Sequence, residues 1–121
     1  MSLGGLETFY ITMEYPEVFG TAGALSPSFW TYDDAAWRSF LGEKDFTENT
    51  PFIYLYTDPA GGDTDPHVTE MYDRLKDMGY PEEKLALHYD KDGAHEALIW
   101  RGIFSEFLES LALRHVDVLQ K

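Results

Sequence analysis

Two rhythms of apolar and polar positions run along the chain. Leu6, Phe9, Tyr10 and Met13 recur at i, i+3, i+4 and i+7, the stripe of an amphipathic helix. That helix begins almost at Gly5 and is stopped by Pro16. Val18–Leu25 is a run of small apolar residues and reads as a buried parallel strand. Ser26–Trp30 predicts a turn carrying two aromatics. Asp33 or Asp34 caps a helix that contains Trp37, Phe40 and Leu41. Gly42–Thr50 is charged and reads as loop. Phe52–Tyr56 is the clearest strand in the chain. After the loop Asp58–Asp65, Asp65 reads as an N-cap and Pro66 as the first helical residue. Val68, Met71, Tyr72, Leu75 and Met78 form the stripe of this helix, and Gly79 ends it. Pro81–Lys84 turns into the strand Leu85–Tyr89. A last helix starts near His95 and carries Leu98, Ile99, Ile103, Phe104, Phe107, Leu108 and Leu111.

Strands alternating with helices predict crossover connections and a parallel sheet. The expected fold is therefore α/β: one domain over 1–121, a three-stranded parallel sheet flanked by four helices. The first helix is apolar enough to need a sheet beneath it, yet no strand precedes it. A preceding strand outside the chain is the expectation, with Met1–Leu3 read as a leader left by cloning.

Composition narrows the function. A chain of 121 residues with 44% hydrophobic and 16% aromatic residues can bury a real core. A formal net charge of -13 excludes nucleic acid and anionic membrane as partners, because a nucleic-acid binder neutralises phosphates with Lys and Arg. No apolar run approaches the roughly 20 residues of a membrane helix. The absence of cysteine removes disulfides, thiolate zinc sites and cysteine nucleophiles. The compartment stays open, the cytoplasm being slightly favoured.

Candidate chemistry centres on His95. It lies where the turn after the strand Leu85–Tyr89 meets the last helix, and in open α/β sheets chemistry collects at the carboxyl ends of the strands. His67, His88 and His115 read as structural or exposed, and Glu96 as a solvated first-turn carboxylate. Asp63, Asp65 and His67 are explained by a loop and a cap rather than by a metal. Asp90-Lys-Asp92-Gly93 places its glycine too early for a calcium loop. Gly61-Gly62 lacks the Lys-Ser/Thr of a phosphate loop. No cofactor is expected.

Gly4-Gly5-Leu6-Glu7 before an aromatic-rich helix, Leu25-Ser26-Pro27 with Phe29-Trp30, and Gly93-Ala94-His95 with Trp100 together resemble an esterase family of the α/β-hydrolases. That family includes feruloyl and acetyl-xylan esterases, esterase D and enterobactin esterases. The resemblance runs through the whole chain and corresponds to the C-terminal half of the family's domain. It implies a serine carboxylic-ester hydrolase working through an acyl-enzyme, with a small-molecule ester as substrate. Ser2-Leu3-Gly4-Gly5 falls in register with the family's Gly-x-Ser-Met-Gly-Gly elbow, which implies Ser2 as nucleophile. The order serine, acid, histidine implies His95 as base and an acid after the strand Phe52–Tyr56. Asp58 is the choice, with Asp63 and Asp65 as alternatives. Tyr56-Thr57-Asp58-Pro59 departs from the family's Gly-Thr-x-Glu/Asp pattern there. Trp30 is placed in the acyl or alcohol pocket or, equally, in a core or rim.

A second class of function stays in view: a non-catalytic, self-associating module or a small-ligand-binding domain. The strand Val18–Leu25 would have an open edge, and helix faces would be left apolar. Both features favour a homodimer.

Overall fold

The computed structural model describes residues 3–58, 66–90, 104 and 106–111. Helix α1 spans Leu3–Glu14, strand β1 Thr21–Leu25, helix α2 Asp34–Gly42, strand β2 Phe52–Thr57, helix α3 His67–Asp77 and strand β3 Leu85–Tyr89. Residues 106–111 are helical as well. The strands form one parallel sheet in the order β1-β2-β3, the α/β arrangement expected.

The sheet separates two apolar layers because side chains alternate across it. Ala22 and Ala24 of β1, Ile53 and Leu55 of β2, and Leu85 of β3 face Phe9 and Met13 of α1, Trp37 and Leu41 of α2, and Val68, Met71 and Leu75 of α3. On the opposite face Phe52, Tyr54 and Tyr56 meet Phe107 and Leu111. Every residue of β2 is buried, as a central strand covered on both sides requires.

Strand β1 begins three residues later than its apolar run suggests. The N–H groups of Val18 and Phe19 both donate to the carbonyl of Tyr15, at 3.0 Å each, so the two residues close a turn after α1. Their side chains stay exposed (66% and 44%). Of the two candidate caps of α2, Asp33 is the one used: its Oδ1 accepts from the Ala36 N–H at 2.8 Å. Asp34 instead receives Arg74, whose Nε and Nη2 each lie 2.8 Å from its Oδ1, and this ties α3 to α2. Helix α3 starts at His67, so Pro66 stands one place before it; Asp65 lies outside the described residues. Gly79 adopts φ +94, the left-handed conformation that ends α3.

An aromatic knot joins the helices to the end of β1. Phe9 packs edge-on against Phe29 at 5.0 Å and against Trp37 at 5.7 Å, and Phe29 meets Trp37 at 5.5 Å. The indole N–H of Trp37 donates to the Phe29 carbonyl at 2.9 Å, so a buried polar group is satisfied.

The last helical segment is seated through β1. A Cβ on Gly23 would lie 2.8 Å from Cζ of Phe107, so the ring occupies the space a side chain would take. Gly23→Val is therefore expected to displace Phe107 from its place beside Tyr54 (5.4 Å between ring centroids). The overpacking should lower stability by about 1–3 kcal/mol in urea unfolding. A variant as stable as the parent, with the Phe107–Tyr54 contact still visible by NMR, would refute this seating.

Candidate active site

The carboxyl ends of the three strands lie level. The Ser26 N–H donates to the Tyr56 carbonyl at 2.8 Å, and the Asp90 N–H donates to the Thr57 carbonyl at 2.9 Å. Both bonds carry the parallel ladder one residue past the strands, so Ser26, Asp58 and Asp90 leave the same edge of the sheet.

The first turn of α1 reaches that edge. A Cβ on Gly5 would lie 3.1 Å from Cα and Cβ of Pro27 and 3.2 Å from the Leu25 carbonyl oxygen. The helix start therefore sits directly against the end of β1. Helix N-termini present unpaired N–H groups and partial positive charge, a fitting environment for an oxyanion. Ser26 holds φ 47 as the chain turns away from β1, and its side chain is buried.

Asp58 follows β2 immediately and is 0% exposed. A carboxylate so buried depends on donors around it. The charge of Asp58 is felt by the phenol of Tyr56, two residues before it. The same phenol donates to Asp90 Oδ2 at 3.3 Å. Burial first, then the charges of Asp58 and Asp90 and the hydrogen bond to Asp90, raise the Tyr56 phenol far above its ordinary range. It is thus a neutral O–H donor at physiological pH. Its ring stacks on His88 at 5.5 Å with 28° between planes, and His88 Nδ1 lies 3.1 Å from Glu106 Oε2. On the same face Tyr54 is pushed up to about 12, chiefly by burial and further by the charge of Glu106.

The structure thus sets Asp58 at the carboxyl end of the central strand. Trp30 lies in the short 3-10 turn Phe29–Thr31 beyond β1 and is 47% exposed. Ser2 and His95 lie outside the described residues, as do Asp63, Asp65, Glu96 and His115. His67 lies at the first position of α3 with Nδ1 3.5 Å from Glu70 Oε2, and His88 is half-buried on β3. Among the described residues, no group of three or more metal-capable side chains converges.

Two features were not anticipated from sequence. One is the hydrogen bond of Tyr56 to Asp90. Its only sequence signal is the polar tip of a tyrosine in a fully buried strand, which requires a partner. The other is a groove of about 770 Å³ between α1 and α2, lined by Leu3, Leu6, Tyr10, Ile11, Tyr32 and Phe40 among others. Tyr10 stacks on Phe40 along it at 5.1 Å. Trp30 does not line it.

No protein-family model matches the chain. Over 102 residues it is 26% identical to an uncharacterized protein, YbbA, of Bacillus subtilis strain 168, an alignment that covers 78% of this chain and 40% of that protein. Two crystal structures of the enterobactin esterase FES from Shigella flexneri superimpose on it. The one determined in the presence of 2,3-di-hydroxy-N-benzoyl-glycine gives a TM-score of 0.60 at 26% identity and covers 84% of this chain and 27% of that one. The one determined with enterobactin gives 0.58 at 28% identity and covers 84% and 26%. The chain thus spans well under half the length of these relatives. Its parallel sheet and flanking helices correspond to a portion of an esterase of the α/β-hydrolase fold, and to such esterases the chain is related.

Proposed function

We propose that this chain carries the catalytic groups of a serine carboxylic-ester hydrolase that works through an acyl-enzyme. The observation that supports the reading best is Asp58, a wholly buried carboxylate at the end of the central strand, on the edge where α1 begins. The likeness to enterobactin esterase supports an ester as substrate. In this reading Ser2 attacks the ester carbonyl. His95 takes the serine proton and returns it to the leaving alcohol. Asp58 orients the imidazole and stabilises its charged form, and N–H groups of the first turn of α1 face the oxyanion. Water then cleaves the acyl-enzyme. Trp30 flanks the acyl or alcohol group of a small-molecule ester.

The test is labelling with a fluorophosphonate probe, read by intact mass, beside a Ser2→Ala control. One adduct that requires Ser2 is the expected result. An adduct that persists in the control would remove Ser2 from the role, and no adduct at all would count against an assembled nucleophile in this chain.

The groove between α1 and α2 favours a second reading, a self-associating module. Leu3, Ile11 and Tyr32 on its walls are 62%, 41% and 57% exposed, and β1 is an outer strand of the sheet among the described residues. A homodimer would cover such a surface. Sedimentation as a dimer supports this reading, and a monodisperse monomer removes it.

A further inference from the structure

We propose that the groove between α1 and α2 is a binding site for a small organic ammonium ion with an apolar body: Glu7 receives the charge, and a row of aromatic rings receives the body. The inference is independent of the ester-hydrolase reading, since neither Asp58 nor Trp30 lines the groove.

The groove holds about 770 Å³, within the roughly 300–1,000 Å³ of sites that take small molecules. Four rings follow one another along it. Tyr32 meets Trp37 edge-on at 5.6 Å, Trp37 meets Phe40 edge-on at 6.1 Å, and Phe40 stacks on Tyr10 at 5.1 Å. Ring faces carry the negative part of the aromatic quadrupole and attract cations. Glu7 is the only charged side chain among the described residues that line the groove. The walls supply no cation to neutralise it: α1 has no Lys or Arg, and Arg38, the single one of α2, is engaged by Asp34 and Asp77. The chain itself shows how such a wall takes an ammonium group. Lys44 Nζ lies 4.6 Å from the centre of the Phe40 ring and pairs with Glu14. Tyr10, the ring stacked on Phe40, stands three residues after Glu7 and four before Glu14, so the two carboxylates flank it on one helix face. Lys44 fills the end beside Glu14, and the end beside Glu7 presents the same pairing of carboxylate and ring to a ligand. A net charge of -13 draws cations toward the surface and turns anions away.

The test titrates the chain with benzyltrimethylammonium, benzyl alcohol and benzenesulfonate at constant ionic strength, followed by ¹H–¹⁵N NMR. The cation is expected to move the amide signals of α1 and α2 to saturation, with the alcohol about threefold to tenfold weaker and the sulfonate without effect. Equal affinity for cation and alcohol, or shifts confined to other parts of the chain, would overturn the proposal. Two variants at exposed positions, which leave the core intact, check the assignment of roles. Glu7→Gln should weaken the cation about threefold to fivefold and leave the alcohol unchanged, whereas Tyr10→Leu should weaken both. An unchanged affinity for the cation in either variant would overturn the proposal. The competing occupant is a second copy of the chain. Groove signals that shift on raising the protein concentration alone, and that ignore the probe, would overturn the proposal in favour of that copy.

Discussion

His95→Ala is expected to lower ester hydrolysis, and labelling of Ser2 by a fluorophosphonate, by at least about ten-thousand-fold. In the proposed site the imidazole performs two proton transfers, one from the serine and one to the leaving alcohol. Among the described residues no histidine can take its place: His67 lies at the start of α3 beside Glu70, and His88 is held between Tyr56 and Glu106. The rate should fall while the affinity for the ester changes little, because the lost interactions belong to the transition state. Full hydrolysis by the His95→Ala protein would end the triad assignment.

Phe9→Ala is expected to cost about 3–5 kcal/mol of folding stability. Phe9 is 0% exposed and joins α1 to the end of β1 and to α2 through its edge-on contacts with Phe29 and Trp37. Those contacts add to the loss of apolar burial, and a cavity in a knot of rigid rings cannot collapse easily. Since whole domains are stable by only about 5–15 kcal/mol, the variant should lie near the margin of folding. Its urea midpoint should fall steeply, and near-ultraviolet dichroism from Trp37 should weaken. A loss below about 1 kcal/mol would mean that the knot contributes little to holding α1 in place.

Much of the fold was legible because strand and helix rhythms are distinct here. Phe52–Thr57 is buried throughout and proved to be central, and Phe9 and Met13 of α1 and Val68, Met71 and Leu75 of α3 point at the sheet as their spacing implies, whereas Tyr10 is 49% exposed. Where β1 starts was not legible. Val18 and Phe19 are apolar and continuous with the strand, but their N–H groups are drawn back to Tyr15, a choice made by backbone hydrogen bonding that residue type does not reveal. Either of two adjacent aspartates could have capped α2; Arg74, from another helix, engages Asp34 while Asp33 caps.

The site divides in the same way. Asp58 was legible because a strand end fixes its place. The bond between Tyr56 and Asp90 was not, because these residues stand 34 positions apart and meet only through the pairing of Tyr56 with His88 and of Thr57 with Tyr89. That pairing depends on which strands are neighbours, a property of the sheet rather than of any one segment. The groove between α1 and α2 was hidden for a similar reason, since each helix supplies only one wall.

The close contact at the start of α1 also bears on how freely this chain can change. Gly4 and Gly5 are neighbours in sequence and unequal in constraint. A side chain at position 4 would meet nothing within 4 Å, whereas one at position 5 would press on Pro27 and the Leu25 carbonyl. Alanine at position 4 would stiffen the helix by about 1 kcal/mol without moving it. The same change at position 5 would lift α1 away from the end of β1, and with it whatever the first turn presents to the sheet edge. Variation is thus open at one glycine and constrained at the next, and the boundary between them marks where the helix comes against the end of β1.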